Sequence, residues 1–105
     1  MTDKKIILST TGSQEEAQKI ARALVERKLA ACVNIVGPIE SVYRWQGAVQ
    51  TSEEFLLLIK TTGAACERAR DLIRLLHSYE LPECVQLSIE DGLAKYLEWI
   101  GESVE

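Results

Sequence analysis

The feature that most constrains this chain is a long run rich in β-branched and aromatic residues, which extends from Leu29 to Lys60. Such residues favour strands, and the dipeptide Gln46–Gly47 near the middle of the run is typical of a tight turn. The run therefore predicts a β-hairpin with arms of about twelve to sixteen residues, which span roughly 40–50 Å at ~3.3 Å per residue. The dipeptide Gly37–Pro38 interrupts the first arm, where it predicts a bulge or a kink.

Helical periodicity and capping signals predict three helices outside this hairpin. The first helix follows a capping box, in which the Ser13 hydroxyl accepts from the Glu16 amide and the Glu16 carboxylate reaches back to the Ser13 amide. The second helix is capped by Thr62 and ends near His77. A short third helix follows Asp91–Gly92. Its apolar stripe comprises Leu93, Tyr96, Leu97 and Ile100.

Two further strands complete the predicted sheet, one from Lys5 to Thr10 and one from Cys84 to Ile89. The order of elements is then β-α-β-β-α-β-α, and its first six elements match the split βαβ, ferredoxin-like motif. We therefore predict an α+β fold with a four-stranded antiparallel sheet, two helices on one face and an added C-terminal helix. At 105 residues the chain is the size of one domain, so residues 1–105 are expected to form a single domain.

The predicted hairpin is longer than the helices that would cover it, because a fifteen-residue helix reaches only ~23 Å at ~1.5 Å per residue. The uncovered part contains Tyr43, Trp45 and Val49, and an apolar hairpin with open edges aggregates unless another chain pairs with it. We infer a symmetric homo-oligomer built by strand pairing. The alternative is that Gly37–Pro38 folds the arm back into two shorter hairpins and leaves a monomer.

Charge and composition exclude several classes of function. The 16 acidic and 12 basic residues give a formal net charge of -4, which argues against nucleic acids and anionic membranes as partners. The apolar run from Ile6 to Leu8 is far shorter than the core of a signal peptide or a membrane span, so we expect a cytoplasmic protein. Cys32, Cys66 and Cys84 are odd in number and show no C-x-x-C spacing, so neither a disulfide framework nor a cysteine-only zinc site is predicted.

Five sequence blocks resemble the CutA family, which is named for tolerance to divalent cations. In the order and spacing of that family they are KLAACVNI (Lys28–Ile35), YRWQG (Tyr43–Gly47), IKTT (Ile59–Thr62), HSYELPE (His77–Glu83) and YLEWI (Tyr96–Ile100). The resemblance extends over almost the whole chain. It implies a ferredoxin-like protomer and a tightly interlocked homotrimer, which is similar in shape to the PII signal proteins and cytosolic in bacteria. It also implies copper binding and a role in metal tolerance.

The sequence departs from the pattern of that family at two places. His77–Ser78–Tyr79 stands where the loop of the family usually has His-Pro-Tyr, so the constraint of a proline is missing. Ser9 and Leu76 stand where some members have a cysteine and the first of two adjacent histidines. Of those ligands, only His77 is present.

An imidazole-dependent metal site in this chain has to use His77, which is its only histidine. Glu80 and Glu83 follow in the same loop, and an imidazole with carboxylates is an acceptable ligand set for Cu(II) or Zn(II). His77, Glu80 and Glu83 are therefore the predicted ligands of a weakly bound Cu(II) or another divalent cation, and three copies could converge in a trimer. The alternative is that His77 only ends the second helix, where the helix dipole favours its cationic form.

The cysteines and the aromatic residues of the hairpin have structural and functional interpretations. Cys32 and Cys84 are predicted to be small core residues. Cys66 lies near the start of the second helix, where an incidental surface cysteine and a reactive or copper(I)-binding thiol are both open. Tyr43 and Trp45 are predicted to be buried at an interface, with a stacking platform for a ligand as the alternative.

The sequence predicts a binding protein and not an enzyme, because no catalytic triad or acid-base pair can be assigned from it. The leading hypothesis is a cytoplasmic homotrimer of the CutA type, which binds copper or a similar divalent cation and takes part in the response to metal ions. The alternative is a PII-like signalling or scaffold trimer, which binds a small anion or a partner protein at the cleft between subunits.

Overall fold

The computed structural model describes residues 2–105 and contains the predicted strands and helices in the predicted order. The strands are β1 (Lys4–Thr11), β2 (Cys32–Trp45), β3 (Ala48–Thr62) and β4 (Val85–Ser88). The helices are α1 (Gln14–Glu26), α2 (Cys66–Leu76) and α3 (Ala94–Ser103), and a 3₁₀ turn at Gly63–Ala65 precedes α2. The α+β fold is therefore confirmed. Among residues 2–105, no helix is long and apolar enough to cross a membrane.

The four strands form one antiparallel sheet in the order β2-β3-β1-β4, so β1 and β3 are central and β2 and β4 are the edges. Alternate residues of the central strands, among them Ile7, Leu57 and Ile59, are almost completely buried in one apolar cluster. Ile20 of α1 and Ile73 of α2 belong to the same cluster. Burial of this apolar surface, at ~25 cal/mol per Å², holds both helices against the sheet.

Helix α3 packs apart from that cluster. It contacts β1 and β3, and Ile100, its one fully buried residue, lies outside the apolar cluster beneath α1 and α2. Of the predicted stripe, Leu93 and Tyr96 are exposed. Within a single chain, only part of the predicted apolar stripe of α3 is therefore buried.

The hairpin has the predicted long arms and the predicted turn. Gln46 and Gly47 both have positive φ angles, 50° and 82°, as expected for a two-residue turn whose twist matches the strands. The pairing of β2 with β3 shifts register between Val36 and Ile39, so Gly37–Pro38 produces a bulge, and pairing then continues to the turn. The alternative of two shorter hairpins is therefore wrong.

The far half of the hairpin projects beyond the rest of the sheet. Strand β1 pairs with β3 only from Phe55 to Thr62, so residues 48–54 of β3 pair with β2 alone within the described chain. Val42 and Val49 in this part are 63% and 65% exposed. The molecule is accordingly 44 Å long but only 25 and 22 Å across. The prediction that the hairpin is longer than the elements that cover it is confirmed.

Two predicted helix starts differ from the structure. Thr62 makes no side-chain cap, because the 3₁₀ turn at Gly63–Ala65 leads the chain into α2 instead. At α1, the Ser13 hydroxyl does accept from the Glu16 amide at 3.1 Å. The Glu16 carboxylate, however, turns away from Ser13 and accepts hydrogen bonds from Ser78, 62 residues later in the chain. A tertiary partner thus replaces half of the capping box.

Candidate functional site

A cleft of about 860 Å³ lies between the projecting hairpin and the loop that follows α2. Tyr43, Trp45 and Glu54 of the hairpin line one part of it, and residues 79–85 line another, together with Thr10 of β1. The cleft exists because β1 ends at Thr11, which leaves the hairpin unpaired beyond that point and open to the loop. We call this feature the acidic cleft.

The charges that line the acidic cleft are all negative. They are the carboxylates of Glu54, Glu80 and Glu83, and no lysine, arginine or histidine is among the described residues that line it. Charges of one sign in a cleft with low-dielectric walls raise the local concentration of counter-ions. The cleft therefore attracts cations and repels anions.

Glu54 and Tyr79 form the hydrogen-bonded centre of the cleft. The Tyr79 hydroxyl donates to Glu54 Oε2 at 2.8 Å, and Glu54 is only 7% exposed. Burial, and then the hydrogen bond to Glu54, raise the pKa of Tyr79 to about 12, so the phenol stays a hydrogen-bond donor at neutral pH. A Cβ atom at Gly12 would lie 3.1 Å from the Tyr79 hydroxyl, so glycine there leaves the ring its place.

His77 lies behind this centre and has hydrogen-bond partners at both ring nitrogens. Its Nε2 donates to the carbonyl oxygen of Thr10 at 2.7 Å, because a carbonyl can only accept. Its Nδ1 lies 3.1 Å from the Tyr79 amide nitrogen and 3.2 Å from Glu16 Oε1. The ring also packs against the Tyr79 ring, with centroids 4.7 Å apart, and its side chain has no exposed surface. His77 thus joins β1, α1 and the loop.

The three predicted metal ligands occupy different environments. Glu80 and Glu83 line the cleft, whereas His77 ends α2, as one of the two interpretations predicts, and is buried. Among residues 2–105, no group of three or more histidine, cysteine, aspartate or glutamate side chains is arranged to hold a metal ion. The set of His77, Glu80 and Glu83 as metal ligands stays a prediction.

Ser78, which stands where the family usually has proline, fixes the start of the loop by hydrogen bonds. Its amide and hydroxyl donate to the Glu16 carboxylate at 2.9 and 2.7 Å, which ties the start of the loop to α1. A proline at this position has no N–H to donate. Burial acts to raise the pKa of Glu16, but the two Ser78 hydrogen bonds together with the charges of His77 and Lys19 outweigh it and place the pKa below its ordinary value.

The three cysteines form no disulfide. Cys66 is 4% exposed, so the prediction of a surface cysteine is wrong. Burial raises the pKa of Cys66, opposite to the shift that a reactive thiol at a helix start requires. Cys84 packs against the core, as predicted, and burial raises its pKa too. Cys32 is only half-buried and lies outside the core, contrary to the prediction, because it is on the opposite face of β2 from Val33 and Ile35, which pack against the core.

Among the residues that line the cleft, Glu54 and Thr10 are two that the sequence did not single out. The signal for Glu54 was present but weak, because it shares one strand face with Leu56 and Leu58, and a carboxylate is out of place there. Thr10 acts through its backbone carbonyl, which every residue carries. No side-chain pattern could have marked it.

The fold and the cleft together define a class of ferredoxin-like α+β proteins with a projecting hairpin. The family model described as "CutA1 divalent ion tolerance protein" matches residues 5–103, and the chain belongs to this family. Its relatives include the divalent-cation tolerance protein CutA of Thermus thermophilus, 47% identical over 95% of this chain and 97% of that protein. The protein of the same name from Archaeoglobus fulgidus is 43% identical over 94% of this chain and 96% of its own length.

Solved structures of family members have the same fold. The Thermus thermophilus protein superposes with a TM-score of 0.95 at 46% identity, over 97% of this chain and 99% of that one. CutA from Xylella fastidiosa gives a TM-score of 0.96 at 38% identity, over 99% and 100% of the two chains. The ferredoxin-like prediction is confirmed by this agreement.

Proposed function

We propose that this protein is a cytoplasmic homotrimer that binds divalent cations weakly, Cu(II) among them, and takes part in tolerance to them as a binding protein and not an enzyme. The observation that carries the proposal is the acidic cleft, whose charged lining residues are Glu54, Glu80 and Glu83. The family name, divalent ion tolerance protein, agrees with a cation as ligand. The unpaired cysteines suit a reducing compartment.

The two edges of the sheet support an oligomer in the form of a ring. The edges are different strands, the long β2 and the short β4, so joining one to the other is a head-to-tail contact. Contacts of that kind close into rings when the rotation allows it. Val85 and Leu87 on β4 are both 49% exposed, which leaves apolar side chains for such a contact. The number three rests on the resemblance to the CutA family.

Within this proposal, Glu80 and Glu83 contribute most of the affinity for the cation. Both carboxylates are exposed and line the cleft, so they reach an ion without rearrangement. His77 can bind the cation through Nδ1 only when the hydrogen bond from the Tyr79 amide to that nitrogen is broken. Further ligands come from a neighbouring copy, since one protomer offers no group of three among its described residues.

Calorimetric titration with Cu(II) tests this assignment. We expect Glu80→Gln/Glu83→Gln to weaken binding about tenfold or more, because a carboxylate ligand becomes a neutral amide. Glu90→Gln/Asp91→Asn is the matched control, since it removes two exposed charges outside the cleft and leaves binding within about twofold. Light scattering on each variant shows whether the oligomer is preserved. Equal loss in both double variants, or no saturable binding to the wild type, contradicts the proposal.

His77→Ala separates a ligand from a structural residue. We expect it to lower the free energy of unfolding by about 2–4 kcal/mol, because it removes buried hydrogen bonds and leaves a cavity. Denaturant titration at fixed protomer concentration measures this loss. If the folded variant instead keeps its stability and loses Cu(II) binding completely, His77 is the principal ligand.

The second hypothesis, a PII-like trimer that binds a small anion, receives less support. Every charged side chain that lines the cleft within the described chain is negative, and an anion would be repelled there. A signalling trimer with this cleft therefore suits a basic partner protein better than an anion.

A further inference from the structure

Glu54 presents a buried carboxylate with no cation beside it. Glu54 is 7% exposed, and among residues 2–105 it forms no salt bridge and accepts one hydrogen bond, from the Tyr79 hydroxyl to Oε2. Within that range, every side-chain oxygen that is fully shielded from solvent has a hydrogen-bond partner. Because Glu54 Oε1 has no such partner, it keeps some solvent-accessible surface, and the cleft that Glu54 lines provides it. A carboxylate that is largely withdrawn from water gains strongly from a positive partner.

Aromatic side chains line the hairpin side of the cleft, outward from this carboxylate. Tyr43 is opposite Gln50, with its hydroxyl 3.3 Å from Ser52 Oγ. Trp45 is opposite Ala48, about 20 Å from Glu54 along β3 at ~3.3 Å per residue. Tyr43 and Trp45 on the hairpin and Tyr79 of the loop all line the cleft. Aromatic faces attract organic cations through their quadrupoles, most strongly where water is excluded. At about 860 Å³ the cleft is within the usual size of a small-molecule site.

We propose that Glu54 forms a site for an organic cation, an ammonium or guanidinium group whose apolar skeleton lies along the cleft past Tyr43 toward Trp45. A metal ion fits these groups poorly, because one oxygen of Glu54 is already bonded to a phenol and hard cations need several oxygen ligands. An ammonium or guanidinium group needs only one carboxylate and the aromatic faces. This site shares the acidic cleft with Glu80 and Glu83 but depends on Glu54, so its tests use Glu54→Gln and an organic cation and not the carboxylates and metal ion of the proposed function.

The cation has two sources, a free small molecule or a lysine or arginine of a second copy of this chain. Both satisfy Glu54 by the same chemistry. They differ in what they change, because a free molecule binds to the assembled protein, whereas a side chain of another copy contributes to assembly itself. Binding and assembly are therefore measured on the same variants.

The binding arm uses 2-phenylethylammonium as the probe and neutral 2-phenylethanol as its matched analogue. Trp45 fluorescence reports binding in a Trp99→Phe background, since Trp45 and Trp99 are the two tryptophans and Trp99 lies outside the cleft. Glu54→Gln keeps a carbonyl that accepts from Tyr79 and removes the charge. Glu53→Gln is the control, because the side chain of Glu53 is on the opposite face of the strand and does not line this cleft.

We expect the wild type to bind the ammonium at least tenfold more tightly than the alcohol, and Glu54→Gln but not Glu53→Gln to abolish that preference. If the cation belongs to a second copy, the probe does not bind, and light scattering shows Glu54→Gln dissociating at a protein concentration at least tenfold higher than Glu53→Gln does. The comparison of the two probes on the wild type needs no variant to fold. Equal binding or no binding of both probes, with the same dissociation for both variants, overturns the proposal.

Discussion

At the scale of single residues, the loop after α2 is held by side chains that are far from it in sequence. His77 and Thr10 are 67 positions apart, and Ser78 and Glu16 are 62 apart. Each contact joins the loop to an element of the N-terminal third of the chain. The loop that lines the acidic cleft is consequently fixed in place by these hydrogen bonds, although it has no regular secondary structure of its own.

The Glu16–Ser78 contact makes stability depend on pH. Burial acts against the charged form of Glu16, but the Ser78 hydrogen bonds and the charges of His77 and Lys19 hold its pKa below its ordinary value of 4.5. The folded state therefore binds fewer protons there than the unfolded chain, and the contribution is present above about pH 4.5 and lost as pH falls through the folded-state pKa. Glu16→Gln is expected to cost about 1–2 kcal/mol at pH 7 and to flatten the fall in stability as the pH decreases below 4.5.

Denaturant unfolding at a series of pH values measures this dependence. Glu15→Gln is the matched control, because Glu15 lies in the same first turn of α1 and has no hydrogen bond to the loop. It should follow the wild-type curve. The contact has no such role if both variants have the same pH profile.

At the scale of elements, the hairpin depends on two glycines for different reasons. Gly47 has a φ of 82°, a conformation that residues with a Cβ rarely adopt. A Cβ at Gly37 would collide with the Phe55 ring, so the bulge needs glycine for space and not for its backbone angle. The turn and the bulge together determine the path of the projecting arm that lines the cleft.

Gly47→Ala tests the turn. We expect it to lower the free energy of unfolding by about 1 kcal/mol, because alanine is strained at positive φ. Gly63→Ala is the control, since Gly63 has no such angle and a Cβ there meets its neighbours at an ordinary 3.5 Å. Thermal and denaturant unfolding of both variants measure the difference. Equal costs at the two positions contradict the assignment of strain to the turn.

At the scale of the whole molecule, apolar surface is left on three exposed features of one chain. These are the hairpin arm with Val42 and Val49, strand β4 with Leu87, and helix α3 with Trp99. Single exposed apolar residues are ordinary, but contiguous ones on an unpaired sheet edge indicate contact with another chain. The exposed surface therefore supports assembly as part of folding.

Leu87→Lys tests whether β4 is an assembly edge. A charge at this edge should raise the protein concentration needed for assembly at least tenfold, as measured by light scattering, because the lysine must be desolvated in the contact. Leu75→Lys is the matched control, since Leu75 is 75% exposed on α2, away from both edges of the sheet. The melting temperature of the wild type should also rise with protein concentration. A monomeric mass at all concentrations contradicts the oligomer.

The sequence by itself determined the elements, because each one depends on signals within a few residues of it. The hairpin follows from its β-branched run, its turn from Gln46–Gly47, and its bulge from Gly37–Pro38. The order of these elements then restricts the sheet to the split βαβ arrangement. Local patterning also indicated that the arm outruns its cover.

Only the tertiary structure decided which side chains meet. Glu54 meets Tyr79 because β1 ends at Thr11 and leaves the hairpin open to the loop. Glu16 left its capping box for Ser78 because folding brought two better donors to its carboxylate. Sequence patterns describe the neighbours of a residue along the chain, whereas hydrogen bonds and burial depend on its neighbours in space.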